Sequence, residues 1–272
     1  CGNMAAFDKG KQIHNEVIHM GLLDRNVMLG TALVDMYSKC GAMQKAYEVF
    51  EKLPERNVVT WGALIAGYVQ HGLYHEALKF FRQMQAAEVC PDALTYVGIL
   101  KACGINGSLD VGEYIDGEVR KQGLLEKNVL LGNTLVAMYS KCGAFDKAQE
   151  VFELIPIRNV VTWNALISGY AQHGMDQKAL VCLEEMQYEG LTPDEITFLC
   201  VLTACCHSGQ FHETRTLFWN MTRKYGIIPS LEHHTCMMVS YGCAGQLKRA
   251  MASFNMMSSF DFSTLPLLLG VC

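Results

Sequence analysis

Apolar positions along residues 160–194 fall into two runs at helical spacing. Val161, Trp163, Leu166, Ile167 and Tyr170 make the first, which breaks at His173-Gly174. Ala179, Leu180, Leu183 and Met186 make the second, which ends at Gly190 before Pro193 forbids continuation. The pattern predicts two amphipathic helices of about 12–14 residues joined by a short turn, an αα-hairpin. One hairpin cannot bury its apolar stripe alone, and stacking on neighbouring hairpins buries it. No stretch carries a comparable period of two. The expected fold class is therefore all-α, an α-solenoid of stacked helix-turn-helix repeats.

The same pattern recurs along the chain. Shifted by 102 residues, the sequence lies on itself without a gap, and residues 27–103 match 129–205 at 43 of 77 positions. Trp61 meets Trp163, Pro91-Asp92 meets Pro193-Asp194, and S-K-C-G at 38–41 meets S-K-C-G at 140–143. Gly and Pro punctuation cuts each unit into pieces of 31, 35 and 36 residues: 27–57, 58–92 and 93–128, then 129–159, 160–194 and 195–230. A third, more diverged copy supplies 231–261. Residues 1–26 read as the back of a 36-residue piece, and 262–272 as the start of a truncated one. A length of 272 residues suggests two domains as a soft prior; the repeats replace that with one continuous solenoid over 1–272.

The repeats also decide what composition means. Twelve Cys would suggest six disulfides in a secreted chain. Cys40/Cys142 and Cys103/Cys205, however, are the same positions in successive repeats and read as small apolar residues in a reducing compartment. A formal charge of −5 excludes a basic coat for duplex DNA. No apolar run approaches the roughly 18 residues of a membrane span. Neither a DNA partner nor a membrane is expected.

Trp61 and Trp163 are expected in the core, and His71 and His173, each preceding Gly, as local caps. His233-His234 and Cys205-Cys206-His207 lack a C-x2-C partner, so no metal site is expected. No cofactor motif and no catalytic constellation is visible: the zinc-deaminase pattern, a Walker A loop and a G-x-S-x-G elbow are all missing.

Trp61-x2-Leu64-x3-Tyr68 with Ala77 resembles the tetratricopeptide pattern, which leaves a peptide-binding scaffold as the alternative reading. V-V-T-W-N-A-L-I-S-G-Y-A-Q-H-G at 160–174, the closing T-P-D at 192–194 and the 102-residue triplet are more specific. They resemble pentatricopeptide repeat proteins, and within them the plant subclass alternating P (35), L (36) and S (31) motifs. S-K-C-G and L-E-H-H-T-C-M (231–237) are further marks of that subclass. Leu265 and Pro266 stand where Trp-Gly is usual in the motif after the last S repeat.

The resemblance implies single-stranded RNA binding with one motif per base. In each motif the fifth residue faces the base edge, the last residue sits beside it, and the aliphatic second residue packs on the base face. Asn164 with Asp194 is then a uracil pair, Asn133 with Asn159 a pyrimidine pair, and Thr31 with Asn57 an adenine pair. Thr235 with Asp261 is a guanine pair, and Gly62 with Asp92 is weakly specific because Gly has no side chain. Val97 with Asn128 and Leu199 with Ser230 carry aliphatic fifth residues that cannot hydrogen-bond a base. Met28, Val59, Leu94, Leu130, Val161 and Ile196 are the base-packing candidates. The implied target reads 5′-A-(weak G)-n-Y-U-n-G-3′, with guanine only weakly implied at the Gly62 motif. The resemblance further implies an organellar factor for C-to-U RNA editing, in mitochondrion or chloroplast, working with other editing factors in trans. Any deaminase would lie in a domain outside these residues. The chain starts with Cys and is expected to be a fragment whose targeting peptide lies upstream.

Overall fold

The computed structural model describes residues 2–23, 26–246 and 248–251. Asp261 and the motif 262–272 lie outside the described residues. The chain divides into two compact units, Cys1–Cys142 and Gly143–Cys272. Among the described residues the named elements are all α-helices, and no strand is present.

The first unit holds α1 (Gly2–His19), α2 (Val27–Lys39), α3 (Met43–Lys52), α4 (Val58–Gln70), α5 (Tyr74–Ala86), α6 (Ala93–Asn106), α7 (Leu109–Lys121) and α8 (Val129–Lys141). The second holds α9 (Phe145–Leu154), α10 (Val160–Gln172), α11 (Asp176–Tyr188), α12 (Glu195–His207), α13 (Phe211–Arg223) and α14 (Leu231–Cys243). In the first unit α2/α3, α4/α5 and α6/α7 pair as antiparallel hairpins, and the leading helices α2, α4, α6 and α8 pack successively on one another. In the second, α10/α11 and α12/α13 pair, and α12 packs on both α10 and α14. Each unit is thus a run of stacked αα-hairpins, as the spacing of apolar residues predicts.

Among the described residues, seven helix starts coincide with motif starts read from the sequence. Residues 27, 58, 93, 129, 160, 195 and 231 each open a helix. The reason is local: the residue before each start is Asn, Asp or Ser, the side chains that best cap a helix N-terminus. The 31-residue pieces are short because their second helices, α3 and α9, have 10 residues against 13 in α5 and α11. His173 closes α10, and Gly174 takes the left-handed conformation (φ 68°) that turns the chain into the second helix.

Trp61 and Trp163 are buried, as expected. Each meets a Phe of the preceding short helix edge-on: Phe50–Trp61 centroids are 4.7 Å apart at 72°, and Phe152–Trp163 4.6 Å apart at 72°. Cys103 and Cys205 are fully buried, while Cys40 and Cys142 are half-buried at helix C-caps.

Two expectations are corrected. Val161 is not part of the α10 core stripe but is exposed. At about 100° per residue it lies about 160° round the helix from Trp163. His71 is not only a local cap, because its Nε2 lies 2.6 Å from the Ser38 carbonyl oxygen of α2 and ties two hairpins together. His173 does act locally, with Nδ1 2.9 Å from the Gly169 carbonyl oxygen.

Candidate nucleic-acid interface

The leading helices place three kinds of side chain at their N-terminal ends. The second residue is an exposed aliphatic group in six of them, from α2 to α12: Met28, Val59, Leu94, Leu130, Val161 and Ile196 range from 81% exposed at Met28 to 50% at Leu130, while α14 carries Glu232 there. None of the six is in the core. Within each unit these solvent-facing aliphatic side chains lie outside the core and offer apolar surface for contact.

Among the described residues, the last residue of each motif is the N-cap of the next leading helix. Asn57 accepts from the Thr60 amide at 3.0 Å, Asp92 from Thr95 at 2.8 Å, and Asn128 from Leu131 at 3.1 Å. Asn159 accepts from Thr162 at 3.0 Å and Asp194 from Thr197 at 2.8 Å. At Ser230 the arrangement differs: its amide donates to His233 Nδ1 at 3.2 Å, and His233 Nε2 lies 2.9 Å from the Glu195 carbonyl oxygen. These positions therefore hold the fold together whatever else they do.

The fifth residues sit deeper. Asn133 and Asn164 are 6% and 8% exposed, Thr31, Leu199 and Thr235 are half-buried, and Val97 is buried. Thr31 and Thr235 return their hydroxyls to the Val27 and Leu231 carbonyls at 2.9 Å each. Asn164 is held on two sides. Its Nδ2 donates to Asp194 Oδ1 at 3.0 Å, and its Oδ1 accepts from the Thr197 hydroxyl at 2.6 Å. Burial pushes the Asp194 carboxyl up. Hydrogen bonds from the Thr197 amide, the Asn164 side chain and the Ile196 amide outweigh it and hold the group below the usual carboxylate range.

Sequence reasoning missed the residue that makes these connections. Thr60, Thr95, Thr162 and Thr197 are buried at the third helical position. Thr60 Oγ1 lies 2.8 Å from Thr31 Oγ1 and donates to Asn57 Oδ1 at 3.0 Å, joining two motifs as Thr197 does. The signal was present, because Thr recurs at the third place of every 35- and 36-residue piece from residue 58 to 230. Its meaning is tertiary and needs the neighbouring helix.

In the first unit these side chains line one groove of about 540 Å³, which brings Met28, Thr31, Asn57, Val59, Gly62, Asp92 and Leu94 together with Ala32, Asp35 and Thr95. It has exposed aliphatic walls and a floor of hydroxyl, amide and carboxylate groups. Such a groove suits a flat ring with a polar edge. Among the described residues no group of His, Cys, Asp and Glu could hold a metal ion.

Known proteins resemble the chain in sequence and fold. A model of the PPR repeat family matches residues 56–104 and 158–207. A PPR repeat model matches 31–58, 133–160, 196–225 and 232–262. A pentatricopeptide repeat-containing protein of Arabidopsis thaliana is 38% identical over 261 residues, 96% of this chain and 33% of the relative. Two more from the same plant, one named mitochondrial and one chloroplastic, are 34% and 36% identical over 97% and 94% of the chain, covering 42% and 35% of their own lengths. The chain thus spans about a third to two-fifths of the curated relatives it matches. The crystal structure of the maize pentatricopeptide repeat protein PPR10 superposes with a TM-score of 0.67 at 25% identity, over 86% of this chain and 34% of PPR10. PPR10 in complex with an 18-nt psaJ RNA element shares the fold, with a TM-score of 0.75 at 18% identity over 93% of this chain and 37% of that one. Family models, capped hairpins and 102-residue periodicity agree, and the chain belongs to the pentatricopeptide repeat family.

Proposed function

We propose that this chain binds single-stranded RNA in a sequence-specific way, one nucleotide per motif, as the recognition part of an organellar RNA-processing factor. The observation that carries the reading is the Asn164 carboxamide, oriented by Asp194 and Thr197, with the exposed aliphatic side chains of Val161 and Ile196 at the second positions of its own and the next leading helix. One N–H and one carbonyl lone pair of that amide remain for a base edge, which matches the donor-beside-acceptor edge of uracil. The aliphatic pair offers the apolar contact that an unstacked base needs. Binding through base edges, more than through phosphates, is compatible with a net charge of −5.

The alternation of 31-, 35- and 36-residue motifs supports the P, L and S subclass and, with it, C-to-U editing. The chain's part there is placement of the RNA and not chemistry. The compartment is organellar, with mitochondrion the first choice and chloroplast the second.

Titration of the chain with a 5′-A-n-n-Y-U-n-G-3′ oligonucleotide and its scrambled version tests the reading. The matched RNA is expected to bind about tenfold tighter, the scale of one well-made base contact. Equal binding of the two overturns RNA reading and leaves the peptide-binding solenoid. Asn164→Thr is expected to move the preference at the fifth nucleotide from U to G, and an unchanged preference would show that Asn164 does not read the base.

A further inference from the structure

Among the asparagines of this chain, Asn106 alone is followed by glycine. Its counterpart 102 residues later is Ser208-Gly209, so the pair belongs to a single hairpin turn. Asn106 ends α6, and Gly107 is the C-cap, in the left-handed conformation (φ 69°) that glycine adopts without strain. Both residues are exposed. The Asn106 carboxamide donates to Ser108 Oγ at 3.2 Å, which lays it along the backbone that carries the Gly107 nitrogen. The Gly107 N–H is held by the Cys103 carbonyl, a bond at the helix end, where fraying opens bonds first.

Asp116-Gly117, the one aspartate followed by glycine, stands in contrast. It lies inside α7, and its buried carboxylate is held by Arg120 at 2.8 Å and by the Tyr139 hydroxyl at 2.9 Å.

We propose that Asn106-Gly107 is a self-modifying site, at which the native chain converts Asn106 to isoaspartate and aspartate. The Gly107 main-chain nitrogen gives its proton to hydroxide and attacks Asn106 Cγ, with no Cβ on Gly107 to crowd the approach. The N–Cγ bond forms, the Cγ–Nδ2 bond breaks, and the amide nitrogen leaves as ammonia with a proton from water, which restores the hydroxide. The cyclic imide that remains takes up one water. Opening at the main-chain carbonyl gives isoaspartate, with the chain routed through the former side chain; opening at Cγ gives aspartate. In sum, one carboxamide and one water become one carboxylate and one ammonium ion, with no redox change.

Both products act on the packing. Each places a negative charge on the C-terminal end of α6, where the helix dipole is already negative. Isoaspartate also adds a methylene to the backbone between α6 and α7. The end of α6 has no room to follow, because a Cβ on Gly104 would lie 3.2 Å from the Met138 backbone of α8. The bonds that give way are those of the Gly107 and Ser108 amides to the Cys103 carbonyl, and the α6/α7 hairpin loosens.

Peptide mapping of the intact chain after incubation at pH 8.5 tests the site. The peptide holding Asn106 is expected to gain the mass difference between an amide and an acid, and to accept a methyl group from an isoaspartate methyltransferase. It should do so ahead of every other asparagine peptide, at a rate that rises with pH as hydroxide does. The converted chain, separated by its added charge, is expected to melt below the unconverted chain. Asn106→Gln, which sets the carboxamide one carbon further from the backbone, should keep its charge and melting temperature under the same incubation. Conversion in urea but not in the native chain overturns the proposal, because the folded turn then protects the pair. Faster conversion at another asparagine overturns the assignment to Asn106. A melting loss as large in Asn106→Gln as in the unmodified chain overturns the link between conversion and the loosened hairpin.

Discussion

Asn164 donates its side-chain N–H to Asp194 Oδ1 at 3.0 Å, across 30 residues of chain. The bond joins the fifth residue of one motif to the cap of the next leading helix. The carboxamide is thereby turned one way only, nitrogen toward the carboxylate and oxygen toward Thr197. Orientation of an amide is what distinguishes one base edge from another, so the same bond serves folding and the proposed recognition.

Acid should expose the structural half of that role. The Asp194 carboxyl is held below the usual carboxylate range in the folded state. Its contribution to stability is therefore complete above the ordinary Asp pKa of about 4 and is lost as pH falls through the lowered value. Thermal melts from pH 7 to pH 2 should show a steeper acid-side loss for the unmodified chain than for Asp194→Asn. Parallel curves would refute this. At pH 7, Asp194→Ala should destabilise by about 1 kcal/mol through loss of the cap.

A stabilising exchange follows from comparing two tryptophans. Trp163 Nε1 donates to Glu189 Oε2 at 3.1 Å, and Glu189 also pairs with Arg158 at 2.7 Å. Trp61 Nε1 is buried without a partner. Ala87 stands at the position of Glu189, and Glu88 stands where the second unit has Gly190. Glu88 adopts φ 56°, a left-handed conformation that suits Gly. The double change Ala87→Glu, Glu88→Gly should supply an acceptor for Trp61 and relieve the backbone. Each part is expected to contribute about 1 kcal/mol. A melting temperature unchanged or lowered in the double variant would sink the idea.

Two helical glycines should respond in opposite directions. A Cβ on Gly67 would meet Ser38 Cβ at 2.5 Å, where α4 and α2 approach closely and both residues are buried. Gly67→Ala should destabilise by about 1–3 kcal/mol, because the neighbouring helix has to move. Gly98, inside α6, has nothing within 4 Å of a Cβ. Gly98→Ala should stabilise by about 0.5–1 kcal/mol through helix propensity. Chemical denaturation of both variants checks the pair, and equal effects would contradict the close approach.

Thiol reactivity should follow burial. Burial pushes the Cys103, Cys182, Cys205 and Cys206 thiols up to about 12, whereas Cys90 and Cys243 are exposed. Peptide mapping after brief alkylation of the native chain at pH 8 should find Cys90 and Cys243 modified and those four protected. Rapid labelling of Cys103 or Cys205 would show that their hairpins are not packed as described.

Much of this molecule was legible in the chain alone. Hairpins, motif boundaries and the cap residues are set by interactions within a few residues of one another, so spacing, Gly and Pro punctuation and capping chemistry determine them. The exposed row from Met28 to Ile196 could be located by register, yet whether it faced core or solvent was decided only when neighbouring helices covered the opposite face. The pairing of Thr31 with Thr60, of His71 with Ser38 and of Asn164 with Asp194 and Thr197 spans 29 to 33 residues. No local pattern contains those distances. The sequence by itself determined which residues stand at each helix N-terminus; the packing of one leading helix on the next decided which of them hold each other, and set Gly62 close against Thr95. The physical reason is that caps and turns are short-range, whereas the orientation of a buried amide depends on a partner delivered by the next hairpin.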